Sequence, residues 1–377
     1  MRFADIPGLK EEKKRLIDFF ESDKIHHALL FFGLEGSANL PLAISFASYI
    51  NCESRVGKDS CGECPSCVKM KKLIHPDLHL IFPVAPSPKI TKEVVSDKYV
   101  ESWRMCFLEN PYMNVYDWFE NYGIENKQPN ISKDEARNII RKLFLKPFES
   151  KYKINIIWLP EYMHNSTANA LLKILEEPPG DTLFFLVSNN YQKLLKTILS
   201  RVQMFKVKRC EGDDIKSYLG KYNDVTEEEV DSAIYLSGSN INTAEKILRD
   251  SSSDNLEYLK DWLRNCYSEN YLEINKKLDW FNDLSKIRKR AFLMYSFKML
   301  REALVSKIDL SLVKISEEEK KFITNFRQTL DLESLEDMIL ILDKYVRYLD
   351  RNANPKILFL DLSIKISNFF QKSKSLN

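Results

Sequence analysis

Two adjacent prolines settle the local architecture of residues 153–209. Pro178 and Pro179 stop the helix-periodic run that begins at Ser166, because proline lacks an N–H and clashes with the preceding turn. Before that run, residues 153–159 (KINIIWL) are an apolar, β-branched stretch suited to a buried strand, and residues 182–188 (TLFFLVS) are another. Strand, helix and strand in this order predict a βαβ unit with two parallel neighbours, the unit from which nucleotide-handling sheets are built.

The chain upstream supplies the rest of such a sheet. Residues 8–24 form an amphipathic helix with Leu9, Leu16, Phe19 and Phe20 on one side, and residues 27–32 (HALLFF) form a short buried strand. That strand delivers the chain to Gly33-Leu34-Glu35-Gly36-Ser37-Ala38-Asn39-Leu40, the place of a phosphate-binding loop. A working loop reads G-x-x-x-x-G-K-[ST]: its N–H groups wrap phosphates, its lysine reaches the β and γ phosphates, and its hydroxyl holds Mg²⁺. Gly33 is in place, but Ala38 takes the second glycine slot, Asn39 the lysine slot and Leu40 the hydroxyl slot. Asn39 has no charge to offset phosphate, and Leu40 cannot ligate a cation that wants oxygen. Productive ATP binding is therefore not expected, whether the loop is a relic or an ordinary strand-to-helix connection.

Four of the seven cysteines fall in residues 52–67, as Cys52, Cys61, Cys64 and Cys67. The spacing C-x8-C-x2-C-x2-C, with Gly62 for a tight turn, fits a tetrahedral Zn²⁺ held by four thiolates. A shell closed by protein ligands leaves no place for water, so the metal would be structural. An iron–sulfur cluster is the runner-up, although ferredoxin-type runs place their fourth cysteine downstream. Cys106, Cys210 and Cys266 read as packed or surface thiols.

Residues 77–84 alternate well enough for another strand. Residues 85–128 then carry Trp103, Phe107, Tyr112, Tyr116, Trp118, Phe119 and Tyr122 among prolines. They read first as a small core packed on the main domain, with a partner surface or a base-stacking platform as alternatives. Ser132 and Glu135 predict a capping box for a helix reaching Phe144.

A length of 377 residues exceeds what one core serves, so about two or three domains are expected. An apolar content of 44% is enough to pack them. Lys+Arg 56 against Asp+Glu 54 leaves a net charge of +2, which argues against non-specific nucleic-acid binding as the main task. No run approaches the length of a membrane span, and the first residues lack a signal-peptide core, so a cytoplasmic location is the expectation.

The motif ANALLKILEEPP (residues 168–179), followed by an apolar strand and a Ser-Arg pair, resembles the clamp-loader branch of the AAA+ ATPases, and within it the delta-prime family. The resemblance implies a fold that is α/β plus all-α. It comprises an AAA+ αβα domain at 1–208 with an embedded zinc module (52–67) and an insertion (85–128), a small helical lid at 209–254, and a helical collar at 255–377. It places Trp158 and Leu159 where Walker B carboxylates would stand, Glu161 slightly beyond, Asn189 or Asn190 near a sensor, and Ile241 where a sensor arginine would follow Gly238-Ser239. It makes Ser200 and Arg201 the arginine-finger pair, although an arginine after a helix is otherwise an ordinary surface charge. The family also carries a zinc module at the position of the cysteines.

Beyond residue 209 the pattern is helical, with Thr226 and Glu229 as a capping box and a polar break at 251–255. Helices are expected over 256–266, 275–284, 287–307, 317–326, 335–351 and 355–371. The basic run 285–290 reads as a solvated helix face before it reads as a DNA contact. The implied function is a non-catalytic clamp-loader subunit that donates Arg201 in trans. Its implied partners are tau/gamma and delta subunits, with the sliding clamp and primed DNA reached through the complex. A tau/gamma-like ATPase and an ATP-independent DNA-binding protein are the alternatives.

Overall fold

The computed structural model describes the chain except residues 23, 88–89, 124–126, 222–224, 250–254, 314, 352 and 377. It divides into two compact units, Met1–Lys221 with Ser239–Asn242, and Tyr222–Gly238 with Thr243–Asn377. The polar break expected at 251–255 lies, except for Asn255, outside the described residues.

The first unit is organised by strands β1 (Ala28–Phe32), β2 (Leu78–Ile81), β3 (Lys153–Trp158), β4 (Thr182–Ser188) and β5 (Gln203–Lys206). They form a parallel sheet in the order β2-β3-β4-β1-β5. A parallel sheet covered on both faces needs apolar side chains on both, and every residue of β3 and β4 is buried. On one face, Leu30, Ile157, Phe184 and Leu186 pack with Ile139, Leu171, Leu175 and Ile198. Those partners come from helices Lys133–Leu143, Asn165–Glu176 and Lys196–Leu199. On the other face, Phe31 and Phe185 meet edge-on at 5.5 Å, and Phe46 of helix Asn39–Ile50 stacks on Phe185 at 5.4 Å. Helix, sheet and helix make three layers, as the βαβ reading required.

The aromatic segment is a core of its own. It contains helices Val100–Glu109 and Val115–Tyr122. Trp103 stacks on Phe82 at 5.0 Å and on Phe107 at 5.6 Å, and Trp118 meets Phe82 edge-on at 5.5 Å. These rings are 2% exposed or less, which leaves no stacking platform for bases among them. One local expectation needs correcting. Ser132 does cap its helix, accepting from the Glu135 N–H at 3.4 Å, but Glu135 does not return the bond. Its buried carboxylate instead accepts the N–H and the hydroxyl of Ser96, at 2.5 and 2.9 Å, and so ties the aromatic segment to the helix. Two donors on one buried residue outcompete a single N–H on the part-buried Ser132.

The second unit is helical. Helices Asn255–Tyr267, Tyr271–Asp283, Lys286–Ile308, Glu317–Phe326, Leu332–Asp350 and Pro355–Leu376 surround Trp262, Phe281, Phe292 and Phe359. Trp262 donates its indole N–H to Ser363 at 2.9 Å. The Thr226–Glu229 capping box forms, with bonds of 3.2 and 2.7 Å. The basic run is not wholly solvated: Lys289 is buried and donates to the Leu284 carbonyl, and Arg290 donates to that of Leu236. Cys106, Cys210 and Cys266 are all buried thiols. No helix among the described residues is long and apolar enough to cross a membrane.

Candidate phosphate-loop, arginine and cysteine sites

Residues 33–38 join β1 to helix Asn39–Ile50, the topology in which a helix N-terminus faces a bound phosphate. Here side-chain amides pack against the loop's glycines. Asn39 is 2% exposed and its Nδ2 donates to Asn189 Oδ1 at 3.1 Å. Its Oδ1 lies against Gly33, where an added Cβ would stand only 2.5 Å away. Gly36, at φ +79°, is covered by Asn240: a Cβ there would fall 2.0 Å from the Asn240 amide. Asn240 Nδ2 donates to the Glu35 carbonyl at 3.2 Å, and the Ile241 N–H to that of Gly36 at 3.4 Å. Ala38 and Leu40 are buried, and Ile241 is apolar and buried.

The positions across the sheet are also committed to packing. Trp158 and Leu159 are 2% and 1% exposed, and Trp158 meets Trp103 at 5.7 Å. Glu161 follows on the turn Pro160–Tyr162, where its Oε1 accepts the N–H groups of Asn189 and Asn190 at 3.0 and 3.2 Å. Burial pushes its carboxyl above the ordinary range, and those donors oppose the shift. Asn189 thus joins the loop to the end of β4, while Asn190 bonds Ser188 Oγ through its own N–H.

Arg201 lies just past the short helix Lys196–Leu199 and keeps 29% of its side chain exposed. Nε donates to Glu176 Oε2 at 3.0 Å, and Nη1 to the Thr197 carbonyl at 3.0 Å and to Ser200 Oγ at 3.4 Å. Ser200 Oγ donates to the Thr197 carbonyl at 3.1 Å.

The cysteines converge from a loop and the start of helix Pro65–Lys71. All four sulfurs of Cys52, Cys61, Cys64 and Cys67 lie within 4.8 Å of one another. The Cys52–Cys61 and Cys61–Cys67 separations are 3.6 and 3.8 Å. A tetrahedron of Zn–S bonds of about 2.3 Å has sulfur–sulfur edges of about 3.8 Å, so the donor set fits that ion. The N–H groups of Cys64 and Glu63 donate to Cys61 Sγ at 3.3 and 3.5 Å and pull its thiol down to about 6. Burial pushes Cys52 and Cys67 upward. A cation among the sulfurs would stabilise all four as thiolates.

A sequence profile described as "DNA polymerase III, delta subunit" matches residues 8–211, more than half of the 377. The chain belongs to the DNA polymerase III delta-subunit family. It is similar to DNA polymerase III subunit delta' of Yersinia pestis, 28% identical over 197 residues that cover 52% of this chain and 45% of that protein. It resembles subunit tau of Bacillus subtilis (strain 168) at 28% over 230 residues, covering 61% and 33%. It resembles delta' of Escherichia coli (strain K12) at 25% over 200 residues, covering 52% and 47%. These matches span between a third and a half of the relatives' lengths.

In this delta-family chain, the matched span holds the phosphate loop, the cysteines and Arg201. Two site residues escaped the sequence reading. Asn240 lies far from Gly36 in sequence, and nothing local marks it as the cover of Gly36. Glu176 did leave a signal: a carboxylate at a helix C-terminus, where the helix dipole disfavours negative charge.

Proposed function

We propose that this chain is a non-catalytic clamp-loader subunit of the delta-prime type. It has an AAA+ domain at 1–208, a lid at 209–254 and a collar at 255–377. In a cytoplasmic ring with tau/gamma and delta subunits it acts as a stator and places Arg201 at the ATP site of a neighbour. That ring opens the sliding clamp and loads it at primed DNA. In phosphoryl transfer a donated arginine stabilises charge on the phosphoryl oxygens as water attacks, and contributes about 10³ to 10⁵ in rate. The chain itself binds no ATP productively and hydrolyses none. Cys52, Cys61, Cys64 and Cys67 hold a structural Zn²⁺.

One observation carries the reading. The space over Gly33 and Gly36 is taken by the Asn39 and Asn240 amides, whereas Arg201 stays partly exposed and bonded only to groups of its own neighbourhood. The test compares the reconstituted ring carrying this chain with the same ring carrying Arg201→Ala, at equal assembly. DNA- and clamp-stimulated ATP hydrolysis should fall at least about tenfold. Unchanged hydrolysis would leave Arg201 an ordinary surface charge.

The similarity to a tau subunit favours one second reading, a tau/gamma-like ATPase. ATP binding by the isolated chain at micromolar nucleotide would support it, and no binding at millimolar nucleotide would dismiss it. A DNA-binding role through the aromatic segment has less support, since most of its rings pack in their own core and Tyr116 alone among them is strongly exposed, at 70%.

A further inference from the structure

Local physics gives no reason for a carboxylate at position 176. Glu176 ends helix Asn165–Glu176, Glu177 is the C-cap, and Lys173 is the one basic residue of the last turn. Negative charge at that end opposes the helix dipole. Nor does the ion pair to Arg201 explain it as a stability device, because Glu176 is 58% exposed and exposed pairs contribute little.

What the pair does is geometric. A guanidinium is a rigid planar fork, so fixing two of its nitrogens fixes the direction of the third. Glu176 Oε2 holds Nε at 3.0 Å, and the Thr197 carbonyl holds Nη1 at 3.0 Å, with Ser200 Oγ at 3.4 Å. Nη2 has no partner among the described residues. The fork is anchored by two helix ends, that of Asn165–Glu176 through a side chain and that of Lys196–Leu199 through a backbone carbonyl. Its remaining donors make no bond within the described residues, and 29% of the side chain is exposed.

Resting on the finger reading above, we infer that Glu176 is a positioning residue for Arg201. It locks the guanidinium plane so that Nη2 is already aimed when a phosphoryl oxygen of the neighbouring subunit's nucleotide arrives. Without Glu176 the arginine keeps its charge but regains rotational freedom, which must be lost again at each engagement. The penalty therefore falls on the transition state rather than on nucleotide binding.

The experiment uses the reconstituted ring with this chain as wild type, Glu176→Ala, Glu176→Gln, Arg201→Ala and the double variant with both alanines. Assembly and melting temperature are checked for each. Glu176→Ala should lower kcat for ATP roughly 3- to 30-fold while KM for ATP stays unchanged. Glu176→Gln should restore most of the rate, since its amide oxygen still accepts from Nε. In the Arg201→Ala background, Glu176→Ala should add nothing. The inference is overturned if Arg201→Ala slows the ring and Glu176→Ala does not. It is equally overturned if Glu176→Ala raises kcat, which would mean that Glu176 sequesters the arginine, or if the two losses multiply independently. If Arg201→Ala leaves the rate unchanged, the finger reading falls and this inference falls with it.

Discussion

Residues 33–40 and 52–67 flank the same helix, and each has the form of a loop that receives a charged ligand. Each turns on a glycine in the left-handed region, Gly36 at φ +79° and Gly62 at φ +80°. Yet the space beside Gly36 is filled by the Asn240 amide, with a hypothetical Cβ 2.0 Å from it, whereas the nearest atoms to a Cβ at Gly62 belong to the flexible Arg2 side chain, at 3.1 Å and beyond. At the first loop the Asn240 side chain packs on the glycine. The second gathers four sulfurs and aims N–H groups at one of them, a donor set that could hold a metal ion. A glycine-rich turn therefore does not by itself announce a binding site; what meets the turn across the fold does.

The largest effect should come from the loop that gathers the four cysteines. Cys61→Ser, or removal of metal with a strong chelator, should take the chain from one equivalent of zinc to none. It should also lower the stability of the first unit by at least about 3 kcal/mol. Metal analysis together with thermal unfolding reads both, and iron with sulfide in place of zinc would change the identity of the centre.

A smaller effect is expected at the loop whose Gly36 is covered by Asn240. Gly36→Ala should cost about 1–3 kcal/mol, from the left-handed backbone together with the displaced Asn240 amide. It should leave hydrolysis by an assembled ring unaltered. Adding Asn240→Gly should recover the steric share and leave the backbone share, as a double-mutant cycle in urea would show. If Gly36→Ala instead abolished nucleotide binding by this chain, the two loops would be alike after all.

The smallest effect is a pH dependence. Burial raises the Glu161 carboxyl above its ordinary 4.5. A group whose folded value is raised contributes stability that is fully present below its unfolded value and is lost as pH rises through the folded one. Glu161→Gln removes that loss, so its melting temperature relative to wild type should rise as pH increases from about 4.5. A difference that shrinks with pH would mean that the carboxylate serves as a charge, as a Walker B acid does, and would weaken the contrast.

Much of this molecule follows from patterns a few residues long. The apolar runs at 153–159 and 182–188, the proline stop at Pro178, the helix periods beyond residue 255 and the cysteine spacing all act locally. Backbone conformation and the buried face of an element depend on near neighbours, so their order determined the three-layer sheet and the helical second unit. That Asn39 and Leu40 offer no cationic side chain and no hydroxyl is equally plain in the sequence, because a charge that is absent from a sequence is absent from the fold.

Only the tertiary structure decided which groups meet. Trp158 and Trp103 pack together, so the ring at the end of β3 anchors the aromatic segment. Glu135 leaves its expected cap for Ser96, Asn240 closes over Gly36, and Glu176 reaches Arg201. Each pairing joins residues far apart in the chain, and each is selected by a void or an unmet donor that exists only after the sheet and its helices have packed. Sequence periodicity orders the elements, but it carries no information about the shape of the gaps between them.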